Sequence, residues 1–236
     1  MTLTGETKGA GMADHTDRDY EHDLGNLREK LLLMAGRVEV MIADAVRALV
    51  GRDVALAKKT IDADHRVNRL EVEIDELCML ILVKRHPMAR DLRFVAVALK
   101  MVTDLERIGD LAVNLCERAI DLAEMHEAPG LDDIPRMADI VQKMVLESMD
   151  AFVSWDAARA ERVMMSDDEV DELYHSMFRH QLGMMMQDRG SVERCTQLQS
   201  VAKYLERIGD HATNLAEHVI FMVKAKDVRH HGKMDP

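Results

Sequence analysis

Apolar residues recur along this chain at spacings of three and four, the signature of one buried face on an α-helix. From about Asp23 to Val50, Leu24, Leu27, Leu31, Met34, Val38, Met41 and Ala45 keep this period until Gly51-Arg52-Asp53 interrupts it. A second stretch, about Val54 to Arg85, places Val67, Leu70, Ile74, Leu77 and Ile81 on one face. His86-Pro87 follows, with Pro87 expected in the first turn of the next helix. The third helix is predicted from Met88 to about Met125, through Phe94, Ala98, Met101, Leu105, Ile108, Ala112 and Leu115. The segment EAPGLDDIP, Glu127–Pro135, holds two prolines and a glycine and reads as a linker. Beyond it the pattern repeats, with helices predicted over about Arg136–Val153, Ala157–Gln187 and Ser191–Val223, and Asp188-Arg189-Gly190 turning the chain between the last two.

The repetition is also literal. Leu-Glu-Arg-Ile-Gly-Asp occurs at Leu105–Asp110 and again at Leu205–Asp210, and residues 105–120 match 205–220 at 11 of 16 positions. An offset of 100 residues is domain-sized, so it marks a duplicated domain and not a short solenoid repeat. The predicted fold is all-α: two tandem up-down-up three-helix bundles of long helices. The expected divisions are a disordered segment over 1–20, a first bundle over 21–126, a linker over 127–135, a second bundle over 136–225 and a disordered tail over 226–236.

Composition agrees with an all-helical chain. Aromatics are 3% of its 236 residues, prolines number 4, and Leu, Ala, Met, Glu, Asp and Arg dominate. The 19 methionines suit helix seams as flexible filler. A net charge of −12, with no basic run longer than Lys224–Lys226, argues against direct nucleic-acid binding. Cys78, Cys116 and Cys195 share no metal-type spacing and are expected as buried free thiols. The longest unbroken apolar stretch, Leu77–Val83, is too short to span a bilayer, and the N-terminus lacks an apolar signal core. A soluble cytoplasmic protein is expected.

The candidate chemistry lies in acidic stripes. At about 100° per residue, Glu106, Asp110, Asn114 and Glu117 share one flank of the third helix, beside its apolar seam, and Glu206, Asp210, Asn214 and Glu217 repeat this on the sixth. On the second helix Asp64, Asn68, Glu71 and Asp75 form a comparable stripe. Antiparallel packing of helices two and three brings both stripes to the same side of the bundle. The fifth helix offers Asp167, Asp171 and Tyr174, with Asp168, Glu172 and His175 nearby. Converging carboxylates raise one another's pKa unless a cation neutralises them. Carboxylate and amide oxygens are hard ligands suited to Mg²⁺, Mn²⁺, Ca²⁺ or iron; the alternative is a solvated face. Gly109 and Gly209, each costing a helix interior about 1 kcal/mol relative to alanine, permit close helix approach with or without a ligand. Arg107 and Arg207 are expected in exposed salt bridges.

The words His86-Pro87-Met88-Ala89-Arg90-Asp91-Leu92-Arg93, Asp104-Leu105-Glu106-Arg107-Ile108-Gly109-Asp110 and Tyr204-Leu205-Glu206-Arg207-Ile208-Gly209-Asp210-His211-Ala212-Thr213-Asn214 closely resemble the PhoU family of phosphate-specific transport accessory proteins. The likeness spans roughly residues 20–225. It implies tandem three-helix bundles with surface metal sites for iron, zinc or other divalent ions. The motif carries onto Glu106 and Asp110 and onto Glu206 and Asp210. Asp64, Asn68, Glu71, Asp75, Asp167 and Asp171 follow by alignment of the second helices, with Asn114 and Asn214 beside them. Tyr174 stands where the first repeat has Glu71, a departure that bears on the nuclearity of the second site. The resemblance further implies a homodimeric, non-enzymatic regulator. Such a protein limits phosphate uptake and starvation signalling through the ATPase subunit of the phosphate ABC transporter and a phosphate-sensing histidine kinase, peripheral to the membrane. Two other readings compete: a di-iron carboxylate enzyme, for which only Glu172-Leu173-Tyr174-His175 supplies a Glu-x-x-His word, and a purely structural helical spacer.

Overall fold

The computed structural model describes residues 10–125 and 133–226, with side chains from Arg18 onward. Every regular element among them is helical: α1 (Ala10–Gly51), α2 (Val54–Ala63), α3 (His65–Arg85), α4 (Ala89–Glu124), α5 (Ile134–Ser154), α6 (Ala157–Gln187), a 3₁₀ turn (Arg189–Ser191) and α7 (Val192–Lys224). The first bundle is α1 to α4 and the second α5 to α7. Residues 1–9, 126–132 and 227–236 lie outside the described residues, and with them most of the linker expected over 127–135, whose Ile134 and Pro135 belong to α5.

Three expectations need correction. Helix α1 starts at Ala10, so residues 10–20 of the segment expected to be disordered over 1–20 are helical. Pro87 lies in the loop before α4, not in its first turn. The second predicted helix is divided at Asp64, where the chain tightens: the Asp64 N–H reaches the Ile61 carbonyl, three residues back, at 3.1 Å. The cause is local. His65 Nδ1 hydrogen-bonds the Asp62 carbonyl, competing with the ladder bond that carbonyl would otherwise accept. The second repeat has Asp168 at that position, which has no such proton to give, and α6 runs unbroken.

The duplication extends to the turns. Arg52 and Trp155 both adopt left-handed backbone, with φ of 52° and 55°. Each precedes an aspartate that caps the next helix: Asp53 accepts from the Leu56 N–H at 2.9 Å and Asp156 from the Arg159 N–H at 3.0 Å.

The two bundles share one continuous apolar core, because α4 packs along α7 and α1 against α5. Phe94 of α4 stacks on Phe152 of α5, with ring centroids 5.5 Å apart, and on Trp155 at 6.3 Å. Ser148, fully buried, donates to the Ala212 carbonyl at 3.1 Å. Midway along the α4–α7 seam stands Asp104. It meets His211 Nδ1 at 2.8 Å and His218 Nε2 at 3.0 Å, and accepts from Asn214 Nδ2 at 3.2 Å. Burial works to raise the pKa of this carboxyl, but its three partners prevail and hold it down to about 2.

A folded pKa below the ordinary 3.8 stabilises the fold above that value and ceases to do so as pH falls towards about 2. Asp104→Asn should therefore cost on the order of 2 kcal/mol at pH 7. In urea titrations the gap between variant and parent should close as pH falls from about 4 to about 2.

Candidate functional site

Packing at Gly109 and Gly209 sets the site. A Cβ built on Gly109 would stand 3.4 Å from Val67 Cγ1 and 3.5 Å from Asp64 Oδ1; on Gly209 it would stand 3.4 Å from Val170 Cγ1 and 3.5 Å from Asp167 Oδ1. These are ordinary contact distances, so each glycine brings α4 or α7 to within one methyl group of its neighbour. In both bundles the atom facing that gap is an aspartate oxygen.

Around Asp64 the acidic stripes meet. Asp64 Oδ2 accepts from Asn68 Nδ2 at 2.7 Å, while Asp64 Oδ1 is buried with no hydrogen-bond partner. Burial, and then the nearby Asp110 charge, pushes the Asp64 carboxyl above its ordinary pKa against the Asn68 bond. Glu71 is raised by burial and by Asp75 and Asp110; Glu106 is raised by burial, Asp110 and Glu71. The five carboxylates of α2–α3 and α4 thus share one electrostatic site. Arg107 lies 3.4 Å from both Glu106 and Asp110. Asn114 is half-buried one turn further along α4.

The second bundle repeats the cluster. Asp167 is raised to about 6, by burial first and then by Asp210 and Asp171. Asp210 is raised by burial, Glu206 and Asp171. Lys203, and not Arg207, supplies the cation, 2.6 Å from Glu206 and 5.4 Å from the Tyr174 ring centre. Tyr174 therefore stands over the partner of Glu206 where the first bundle presents Glu71. Asn214 is turned away, its amide donating to Asp104 in the seam.

Hard oxygen donors and an orphaned, buried Asp64 Oδ1 fit a divalent or iron-type cation. Among the described residues, however, no three or more His, Cys, Asp or Glu side chains are already arranged to hold a metal ion. Coordination would require these side chains to turn towards a common point.

Sequence reading missed Asp104, His211 and His218. Their signal was a mismatch between the repeats: Asp104 aligns with Tyr204, His211 with Leu111 and His218 with Arg118. All three cysteines are buried and free, as expected, and burial pushes the Cys78 and Cys116 thiols up to about 12. Glu172 and His175 are exposed on α6, unlike the core ligands of a di-iron bundle.

A duplicated helical bundle with one acidic cluster per copy defines the class. The PhoU domain family matches twice, over residues 31–119 and 134–219. The phosphate-specific transport system accessory protein PhoU homolog of Pseudomonas aeruginosa is 41% identical over 94% of this chain and 92% of its own length. The accessory protein PhoU of Escherichia coli K12 is 34% identical over 92% of this chain and 90% of its own. The crystal structure of PhoU from P. aeruginosa superposes with a TM-score of 0.85, covering 88% of this chain and all of that one. The phosphate transport system regulatory protein PhoU from Streptococcus pneumoniae reaches 0.82 at 25% identity, covering 89% of this chain and 99% of that one. This chain belongs to the PhoU family, and the relatives named above are accessory and regulatory proteins of phosphate transport.

Two outcomes follow. Asp167→Asn removes a carboxyl whose raised pKa leaves its ionised form unfavourable in the fold. Relative to the parent, the variant should gain stability as pH rises from about 4 to 6 and keep it above, by on the order of 1–2 kcal/mol after screening. Melting curves in chelator at pH 4 and pH 7 check this. Gly109→Ala should hold metal-free stability within about 1 kcal/mol of the parent or above it, since alanine favours the helix and its methyl just fits. A loss well beyond that in urea titration would mean a tighter approach.

Proposed function

We propose that this chain is a metal-responsive regulatory adaptor of phosphate homeostasis. It restrains phosphate uptake and starvation signalling by contacting the ATPase subunit of a phosphate ABC transporter and a phosphate-sensing histidine kinase. The carrying observation is 41% identity over 94% of the chain to a phosphate-specific transport accessory protein. Action as a homodimer at the cytoplasmic face of the membrane, through its partners, completes the reading. No helix among the described residues is long and apolar enough to cross a membrane.

The mechanism follows from unrelieved repulsion. Asp64 and Glu71 on one side and Glu106 and Asp110 on the other carry like charge across a gap set by Gly109; Asp167 and Asp171 face Glu206 and Asp210 across Gly209. A bound divalent or iron-type ion (Fe, Zn, Mn, Mg or Ca) would supply the missing positive charge. Asn68 holds Asp64 in place and leaves its Oδ1 free to turn; Arg107 and Lys203 neutralise the outer carboxylates and are the groups displaced when those carboxylates swing inwards. Small changes in the spacing of α3 against α4, and of α6 against α7, would then alter the outer surface offered to partners.

Replacing Glu106 and Asp110 together with alanine should deplete the cation retained by the first bundle and weaken retention of the transporter ATPase on the immobilised protein. Elemental analysis of the purified chain and pull-downs at high and low phosphate check both. Unchanged metal content would count against the site assignment.

A further inference from the structure

The two bundles carry the same surface groove between their first and second helices, and it has diverged. In the first bundle a groove of about 500 Å³ lies between α1 and the α2–α3 junction. In the second, a groove of about 380 Å³ lies between α5 and α6, and each residue lining it is the repeat counterpart of one lining the first: Ile140 for Arg37, Lys143 for Val40, Glu169 for Arg66. The second copy is balanced and bridged. Arg136 pairs with Glu169 at 2.8 Å across its mouth, and Lys143 with Glu147 at 3.8 Å.

The first copy is neither. Where the second has Arg136 and Lys143, it presents Leu33, 50% exposed, and Val40, 58% exposed, beside Leu32 at 37%. Arg37, Lys59 and Arg66 line it and make no ion pair among the described residues, and Arg37 Nε is buried without a hydrogen-bond partner. The one acid in the groove, Asp44, is paired with Arg47. An apolar floor ringed by free cations, on a chain of net charge −12, is complementary to an apolar stripe flanked by carboxylates.

We propose that this groove docks an acidic amphipathic helix of a partner protein. A second copy of this chain is a poor occupant, because a twofold contact sets a patch against itself and would oppose Arg37, Lys59 and Arg66 to their own copies. The inference rests on the adaptor reading only in supposing a partner; cation occupancy of the acidic stripes plays no part in it.

The test uses the full chain and a fluorescent synthetic helix with leucines at i, i+3, i+4 and i+7 flanked by glutamates, read by anisotropy, with a lysine-flanked twin as control. The glutamate helix should bind at least tenfold more tightly than the lysine helix, with affinity falling as salt rises. Leu33→Arg with Val40→Lys installs the residues the second bundle already carries there, and should weaken binding at least tenfold with an unchanged circular dichroism spectrum. Arg37→Glu with Arg66→Glu, which leaves the apolar floor alone, should reverse the preference between the two helices. Equal binding of both helices, no binding of the glutamate helix, or indifference to both double variants would overturn the proposal. So would dissociation of an oligomer by Leu33→Arg with Val40→Lys, which would give the groove to a second copy. If the transporter ATPase fails to bind the parent while the glutamate helix binds, the adaptor reading falls and the groove stands. If the ATPase binds the parent and both groove variants alike, and the helix binds neither preferentially nor at this site, the groove falls and the adaptor reading stands.

Discussion

The close approach of helices at Gly109 and Gly209 governs this molecule. In each bundle the glycine leaves room for one methyl group between a core valine and an aspartate oxygen. Any larger side chain would separate α4 from α3, or α7 from α6, and with them the acidic stripes on either side. The apolar core drives the helices together through residues such as Leu105, Ile108, Val67 and Ile74, all fully buried. Burial therefore forces together carboxylates that repel, at the one place where the helix surface is thinnest. The pKa values of Asp64, Glu71, Glu106, Asp167 and Asp210 are raised by burial first and by the neighbouring carboxylates second. Protein cations answer that repulsion only at the periphery, through Arg107 in one bundle and Lys203 in the other.

Duplication accounts for the architecture and divergence for what is particular to it. Both copies keep the glycine contact, the left-handed turn and the capping aspartate. They part where they touch each other: Asp104 of the first copy is gripped by His211, Asn214 and His218 of the second, and Phe94 lies against Phe152 and Trp155. Neither set of contacts is available to an isolated bundle, so the pair of bundles is one packed unit with a continuous core. They part again on their outer faces, where one copy has Leu33 and Val40 at the positions that Arg136 and Lys143 hold in the other.

Much of this was legible in the chain because helix periodicity and literal repetition are strong local signals. The six predicted helices appear, one of them divided, and the glycine approach follows from two mid-helix glycines inside one repeated word. Three features lay outside what periodicity and repetition carry. The division at Asp64 depends on which atom the His65 ring reaches, and periodicity carries nothing of that. The helical start at Ala10 had no apolar periodicity to announce it, since Tyr20 alone interrupts the polar run from His15 to Asp23. The Asp104 seam needs the relative placement of two bundles; only the exchange of Asp104 for Tyr204 and of Leu111 for His211 between otherwise matched words pointed towards it. The acidic stripes were readable as faces, but their arrangement was not. The carboxylates perturb one another without yet pointing at a common centre.

Diffraction from crystals of the whole chain grown with Mn²⁺, recorded for the anomalous signal of manganese, tests the central claim most directly. The account predicts one centre of anomalous density per bundle, with Asp64, Glu106 and Asp110 turned inwards around the first and Asp167, Glu206 and Asp210 around the second. Stripes left in their metal-free rotamers, with Arg107 and Lys203 still on their carboxylates and manganese absent from both gaps, would contradict it.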